Sequence, residues 1–223
     1  MSSKVLNWKE GYFAFLCSLH ERLGAQSPAQ LLNQWNHRDI AELVKARPNR
    51  WREKSTKAGI SEDGLRVSQK EDCVNFVITT VEPIEPGEVV PWSIFINKMD
   101  TEGATLRFFG VHSAPSHPLS NDPHKGFWTV RVVNGMLYGP TQLDQFAKSD
   151  RQVQCKASSG DTILFVLDRR PSCNTLRMLW NGKDIGIIFD KLPENCPLYP
   201  CITLQCNSDV VTADFNVQIP PGL

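Results

Sequence analysis

Short apolar segments separated by turn-forming residues recur along the chain from about Pro48 to its end. In several of them large apolar residues alternate with other residues, as do Trp92, Ile94 and Ile96. Alternation sends successive side chains to opposite faces of a strand, so each such segment has one apolar face. Pro, Gly, Asn and Asp fill the gaps, with hardly any helical period between them. The pattern predicts a mainly β fold, a two-sheet antiparallel β-sandwich over residues 49–223.

The sharpest local signal is the pair Asn181-Gly182, which stands between two apolar runs. Both residues accept positive φ at low cost, as a type I′ hairpin requires. We therefore predict that Leu176 to Trp180 and Lys183 to Phe189 pair antiparallel. The segment Thr162 to Leu167 is almost continuously apolar, which predicts a strand covered on both faces.

The first 48 residues follow a helical rather than a strand pattern. One helical stripe ends at Gly24, a residue that commonly follows a helix, and a second segment runs from Leu31 to Val44. Two such segments joined by a short connection predict a helical hairpin over residues 1–48. Its apolar stripe must be buried, against the sandwich or against a partner. The residues of the first stripe are Trp8, Tyr12, Phe15, Leu16, Leu19 and Leu23.

Composition and charge exclude several classes of protein. Lys plus Arg equals Asp plus Glu at 24 each, so the chain lacks the basic excess typical of nucleic-acid binding. No apolar run approaches the roughly 20 residues of a membrane helix, and the amino terminus is too polar for a signal peptide. Seven cysteines without an export signal indicate reduced thiols. We expect a soluble protein that is cytoplasmic or nuclear.

Several short motifs resemble parts of catalytic or metal-binding sites, but the other residues that such a site requires are missing. His37 to Ile40 copies the start of a kinase catalytic loop, but Val44 stands where an Asn is required. Three glutamates lie three residues apart among prolines, which does not place them on one strand face. The histidines near Asp122 are separated by prolines, which fits an exposed loop better than a metal site, and the evenly spaced cysteines do not have the spacing of zinc ligands. We predict no enzyme activity, no metal and no cofactor. These residues are Glu82, Glu85, Glu88, His112, His117, His124, Cys196, Cys201 and Cys206.

A series of motifs, in order, resembles the SPRY domain, and within that family the Ran-binding-protein type. The resemblance covers about Asn49 to Val217. The motifs are ISEDGLRVS (Ile60 to Ser68), GFWTVRVVNGMLYG (Gly126 to Gly139), GDTILFVLD (Gly160 to Asp168), LWNGKDIGIIFDKLP (Leu179 to Pro193), LYPCITLQ (Leu198 to Gln205) and DVVTADF (Asp209 to Phe215).

The resemblance implies a non-enzymatic adaptor that binds a peptide or protein surface with loops at one edge of the sandwich. The candidate loops are His112 to Gly126, Asn134 to Gln145, Arg169 to Thr175 and Cys206 to Asp209. Arg and Tyr are enriched in binding hot spots, although a solvated Arg or a Tyr packed under its own loop also fits the pattern. The candidate partner-binding residues are Tyr138, Arg169, Arg170, Asn174, His117, Asn121 and Asn207. Cys206 stands where the SPRY subset that recognises Asn-rich peptides has an aromatic residue, which argues against that specificity.

Two alternative functions remain open. Leu31 to Lys54 faintly resembles an F-box, with apolar pairs and a late Trp-Arg, so the chain is also a candidate ubiquitin-ligase substrate receptor. The leading Leu-Pro element of an F-box is missing and Pro48 interrupts the segment. A carbohydrate-binding, lectin-like sandwich is the second alternative, although no His-x-Asn-Pro-Arg run of the galectin kind is present.

Overall fold

A computed structural model describes residues 49–52, 57–71, 77–100, 107–113, 126–139, 152–171 and 173–220. This part of the chain forms twelve strands, and none of it forms a helix of a length and hydrophobicity that would cross a bilayer. The predicted helical hairpin over residues 1–48, almost all of the F-box-like segment, and His117 and Asn121 lie outside the described residues. The strands are β1 (Ala58–Ile60), β2 (Arg66–Gln69), β3 (Ile78–Thr79), β4 (Val89–Lys98), β5 (Phe108–His112), β6 (Phe127–Arg131), β7 (Met136–Tyr138), β8 (Thr162–Asp168), β9 (Thr175–Trp180), β10 (Lys183–Phe189), β11 (Tyr199–Ile202) and β12 (Val210–Asp214).

The strands form two antiparallel sheets, which confirms the predicted sandwich. The seven-stranded sheet has the order β1-β2-β12-β4-β8-β9-β10, and the five-stranded sheet has the order β3-β11-β5-β6-β7. The chain therefore crosses between the sheets several times. These crossings occur at β2–β3, β3–β4, β4–β5, β7–β8, β10–β11 and β11–β12.

The core lies between the two sheets and is formed by the alternate residues of their strands. Trp92, Ile94 and Ile96 of β4 are fully buried, as their alternation predicts. The Trp92 ring stacks on Phe165 of β8 with centroids 5.3 Å apart. Val130 of β6 faces the same core from the five-stranded sheet. Burial of each such side chain stabilises the fold by roughly 1.5–3 kcal/mol.

Strand β8 is largely covered on both faces, as its continuous apolar sequence predicts. Ile163, Phe165 and Leu167 face the core and are fully buried. On the opposite face Val166 is also buried and Leu164 is half-buried. On that outer face Val166 lies between its pairing partners Pro91 and Arg177.

The predicted hairpin is confirmed at the predicted residues. Lys183 pairs with Trp180 across the turn, and β9 and β10 run antiparallel. Asn181 has a φ of 51° and Gly182 a φ of 78°. Positive φ at both central residues is the conformation that a type I′ turn needs, and Asn and Gly reach it at low cost.

The first described residues lie along the edge of the five-stranded sheet. Trp51 forms an isolated antiparallel bridge with Thr80. The Arg52 N–H donates to the Thr79 carbonyl at 2.8 Å, and the Val81 N–H donates to the Arg50 carbonyl at 2.9 Å. Residues 50–52 therefore lie beside β3, at the outer edge of that sheet.

Candidate functional site

Strand direction divides the loops between the two ends of the sandwich. Asp168 pairs with both Val89 and Thr175, and Ile84 forms a bridge with Leu198. These pairings bring the connections 80–88, 169–174 and 190–198 to one end, which we call the Arg169 end. The connection 113–126 between β5 and β6 starts at the same end, because His112 pairs with Tyr199.

The opposite end, which we call the Asp209 end, holds the candidate loop Cys206 to Asp209 and the first residues of the candidate loop Asn134 to Gln145. It contains the loop 203–209 between β11 and β12, the Asn181-Gly182 hairpin and the turn 132–135 between β6 and β7. The expectation that all four candidate loops share one edge is therefore wrong. The reason is that β11 and β8 run in opposite directions along the sandwich, so the loops that follow them emerge at opposite ends.

Arg169 is the structural centre of the end that carries its name. Only 1% of it is exposed. Its Nη2 donates to the carbonyls of Pro193 at 2.8 Å, Glu194 at 3.2 Å and Cys196 at 2.9 Å. Its Nη1 donates to the Ile84 carbonyl at 3.2 Å. One guanidinium thus holds the connections 80–88 and 190–198, both of which cross between the sheets.

The backbone of Arg169 adds to the same arrangement. Its N–H donates to the Glu88 carbonyl and its carbonyl accepts from the Gly87 N–H, each at 2.8 Å. The side chain and the backbone of this single residue therefore bind all three described loops of the Arg169 end together.

Asn174 closes the loop that begins at Arg169. Its φ of 43° lies in the left-handed region, which Asn tolerates better than most other residues. The buried Asn174 side chain accepts from Arg169 Nε at 3.4 Å through Oδ1. Its carbonyl accepts from the Leu192 N–H at 3.1 Å. The left-handed turn therefore places an amide oxygen where it completes the set of Arg169 acceptors.

The Arg169 cation is stabilised by the dipoles of neutral carbonyl and amide groups. Within the part of the chain that the structure describes, its hydrogen-bond acceptors are four carbonyls and one amide oxygen. Burial lowers the pKa of the Arg169 guanidinium, while Glu85 and Glu88 act on it in the opposite direction. An arginine stays charged even so, because its ordinary pKa is far above neutrality. The guanidinium is occupied by the protein itself, which corrects the expectation that Arg169 and the buried Asn174 meet a partner directly.

The surface above Arg169 is charged. Arg170 is adjacent in sequence, but 43% of its side chain is exposed and its Nε donates to the Asp168 carboxylate at 3.0 Å. Lys191 is a second exposed cation. Exposed carboxylates outnumber these two cations in the three loops, and they belong to Glu82, Glu85, Asp190 and Glu194. We call these six residues the charged rim. Partner contact by Arg170 stays a prediction.

Tyr138 lies in a strand rather than in the loop cluster. It belongs to β7 and faces away from the core, on the outer face of the five-stranded sheet. Its ring meets Phe108 edge to face, with centroids 4.9 Å apart and planes at 83°. The half-buried ring is thus packed on its own sheet, and a role for Tyr138 in binding stays a prediction.

The Asp209 end has a buried ion pair that sequence reasoning missed. Arg107 and Asp209 are both completely buried, and Arg107 Nε and Nη2 reach the two carboxylate oxygens at 2.7 and 2.8 Å. The N–H groups of Gln205 and Cys206 donate to the same carboxylate at 3.1 and 3.0 Å. The two partners are 102 residues apart in sequence, so no local pattern pairs them. Asn207 is exposed on this loop, at the far end from Arg170.

A groove opens beside the same end. It has a volume of about 810 Å³. Two exposed lysines and several amide side chains line it, and its described lining contains no carboxylate. The lining residues are Val133, Asn134, Gln152, Val153, Gln154, Cys155, Lys156, Trp180 and Lys183.

The described residues offer little reactive chemistry. Among them, no group of three or more His, Cys, Asp or Glu side chains is placed to hold a metal ion. Burial raises the pKa of the Cys155 thiol to about 12 and also raises the pKa of the Cys201 thiol. Both thiols are therefore neutral near pH 7, whereas a cysteine nucleophile needs a lowered pKa.

Comparison with known proteins agrees with the fold. No protein-family model matches the chain, and no curated protein is detectably similar in sequence. The SPRY domain of human HERC1 superposes with a TM-score of 0.58 and 19% identity, over 73% of this chain and 94% of that one. The TRIM65 PSpry domain gives 0.53 and 11%, over 79% and 93%. A human SPRY domain gives 0.52 and 16%, over 76% and 99%. The chain therefore has the SPRY fold, and identities this low establish the fold alone.

Proposed function

We propose that this chain is a non-enzymatic adaptor inside the cell that binds a peptide or protein surface through the charged rim of the Arg169 end. The resemblance to the SPRY family implies a protein-binding role, and the shared fold supports that resemblance. The Ran-binding-protein subtype is part of this proposal and rests on the order of the sequence motifs.

One observation carries the proposal: a single buried arginine fixes three loops that otherwise have little regular structure. Loops held by a rigid scaffold are common binding surfaces. A surface that is already ordered loses less conformational entropy when a partner binds, so more of the contact energy appears as affinity. The Arg169 hydrogen bonds supply this order, and the rim residues above them remain exposed.

The chemistry of the rim indicates the kind of partner that fits. The three loops present four exposed carboxylates and two exposed cations, Arg170 and Lys191. A partner with more basic than acidic side chains complements this surface. Because charge at an interface rim acts mainly on the association rate, binding should weaken as salt rises.

The test is capture of partners from a cell lysate with wild-type and rim-variant baits, read by quantitative mass spectrometry. The rim variant is the triple change Glu82→Lys, Asp190→Lys and Glu194→Lys, which reverses the acidic charge that a basic partner would meet. Arg169 uses only the backbone carbonyl of Glu194, so these changes leave the Arg169 hydrogen bonds in place. We expect the rim variant to retain less than a tenth of the partner that the wild type retains.

A matched control carries three changes at the Asp209 end: Lys156→Glu, Lys183→Glu and Asn207→Lys. All three residues are exposed, and we expect this variant to retain the partner at the wild-type level. The reverse outcome, with loss only in the control variant, moves the binding surface to the groove and refutes the proposed site. Equal retention by all three baits refutes it as well.

A further inference from the structure

The outer face of the five-stranded sheet is covered, although it faces away from the core. Thr79, Cys201 and Thr129 share one row across this sheet, in register with Gly110. They face away from the core, because the residues that alternate with them, such as Ile202 and Val130, belong to it. Even so, Cys201 is only 1% exposed and Thr129 only 2%.

The next row of this face is buried as well. Phe127 and His112 face the same way and their ring centroids are 4.1 Å apart, yet Phe127 is only 7% exposed. On the outer face of the seven-stranded sheet, Phe95 is 41% exposed. Phe95 pairs with the small residues Thr162 and Thr212, whereas Phe127 has the His112 ring beside it. A neighbouring ring does not bury Thr79, Thr129 and Cys201 as well, so we infer that a further segment covers this face. We call the covered surface the outer patch, with the residues Val77, Thr79, His112, Phe127, Thr129 and Cys201.

The cover does not come from the strands. No described strand lies over the outer patch, because the seven-stranded sheet packs on the opposite face. The segments 72–76 and 101–106 are too short to cover several strands. Segment 114–125 has three prolines and a single large apolar residue, Leu119, and segment 140–151 has only Leu143 and Phe146.

Residues 1–48 have the composition that such a cover needs. They carry the apolar stripe that runs from Trp8 to Leu23, and a helix with a stripe of this kind must bury it. They also adjoin the right sheet. Residues 50–52 pair with residues 79–81 at its edge, and Thr79 of the outer patch lies within that pairing.

We propose that residues 1–48 dock on the outer face of the five-stranded sheet and bury the outer patch under the stripe that contains Phe15 and Leu19. The amino-terminal segment is then an intramolecular layer of the sandwich. The stripe is not a free surface for a second partner. This inference does not depend on the proposed function, since the charged rim lies at an end of the sandwich and the outer patch lies on a face.

Cys201 provides a direct measurement, because its thiol belongs to the outer patch. The experiment uses the full chain and follows alkylation of each cysteine by iodoacetamide with peptide mass spectrometry. In the double variant Phe15→Asp and Leu19→Asp, we expect alkylation of Cys201 to be at least tenfold faster than in the wild type. Cys155 lies in the inner core and serves as the reference, with an unchanged rate. The control Ala14→Asp adds a carboxylate to the opposite side of the predicted helix and should leave Cys201 protected.

An unchanged Cys201 rate in the double variant overturns the proposal, as does equal acceleration by Ala14→Asp. If Cys155 accelerates together with Cys201, the variant has lost its fold, and a second measurement decides. The photoreactive residue benzoyl-phenylalanine replaces Phe15 in the full chain. Cross-links to peptides that contain residues 127–131 or 199–202 support the docking, and cross-links confined to other peptides refute it.

Discussion

Arg169 and Arg170 are neighbours in sequence, but their side chains lie in opposite environments. Arg169 is buried among backbone carbonyls of two crossing loops. Arg170 turns outward and pairs with the half-buried Asp168. The sequence marks both as candidate binding residues, because an Arg-Arg pair after a strand does not reveal which side chain points inward. Only the path of the loops 80–88 and 190–198 decides it.

This difference predicts different stability effects for two adjacent substitutions. Arg169→Ala leaves several buried carbonyls without a donor, so we expect a loss of about 3–5 kcal/mol in the free energy of unfolding. Arg170→Ala removes a partly exposed ion pair and should cost about 1 kcal/mol or less. Urea denaturation of both variants provides the measurement. Similar losses for the two would show that Arg169 does not hold the loops.

The buried Cys155 thiol predicts a pH dependence. Burial raises its pKa from 9.0 to about 12. Between these values the unfolded thiol has lost its proton while the folded thiol keeps it, so the free energy of unfolding falls as pH rises. The contribution of this one group is at most about 1.4 kcal/mol per pH unit.

Removal of the thiol isolates that contribution. In Cys155→Ala, the stability difference from the wild type should shrink as pH rises from 8 to 10. Urea unfolding of both proteins at each pH measures the difference. A difference that stays constant over this range would contradict the burial of a neutral thiol.

At the scale of the elements, the hairpin between β9 and β10 shows what could be predicted from the sequence and what could not. The turn type and the paired strands follow from Asn181-Gly182 and are correct. A second role of Asn181 does not follow from the turn. Its Oδ1 accepts from the Thr162 N–H at 2.8 Å, and its Nδ2 donates to Asp161 at 2.7 Å. The side chain thus ties the hairpin to the start of β8.

The two roles of Asn181 can be separated. Asn181→Gly keeps a residue that accepts positive φ but removes both side-chain hydrogen bonds, so we expect a loss of about 1–2 kcal/mol. Gly182→Ala changes only the conformational cost, because nothing lies within 4 Å of the added methyl group, and should cost about 1 kcal/mol. Thermal or urea unfolding measures both. If Asn181→Gly is neutral, the side-chain bonds contribute nothing.

Strands were easier to predict than loop positions for a physical reason. Apolar residues at every second position indicate which face of a strand is buried. Trp92, Ile94 and Ile96 follow this pattern and are fully buried. The end at which a loop emerges depends on the order and direction of all strands. The loops at Arg170 and Asn207 therefore looked equivalent in sequence, although they lie at opposite ends. Long-range pairs such as Arg107 and Asp209 leave no local signal either.

At the scale of the whole molecule, one buried arginine holds each end of the sandwich. Arg169 follows β8 of the seven-stranded sheet and binds two segments that lead to or from the five-stranded sheet. Arg107 precedes β5 of the five-stranded sheet and binds Asp209, which precedes β12 of the other sheet. Both arginines thus connect the two sheets at points where the chain crosses between them.

The Arg107–Asp209 pair should show strong coupling. Removal of one partner leaves an uncompensated buried charge, so Arg107→Met and Asp209→Ala should each cost about 3–5 kcal/mol. The double variant should cost clearly less than the two losses added together. Chemical denaturation of the wild type, the two single variants and the double variant measures the coupling energy between the two side chains. The partly exposed pair of Arg177 with Asp184 is the control, and Arg177→Ala should cost about 1 kcal/mol or less. Additive losses in the buried cycle would contradict the account.

The central claim is that a partner protein binds the charged rim of the Arg169 end. Amide hydrogen exchange of the full chain, with and without the captured partner, tests it most directly. We predict slower exchange in residues 81–88, 169–174 and 190–198, with no change in 152–156 or 203–209. Protection confined to 152–156 and 203–209, with the Arg169 end unchanged, would show that binding takes place at the opposite end of the molecule.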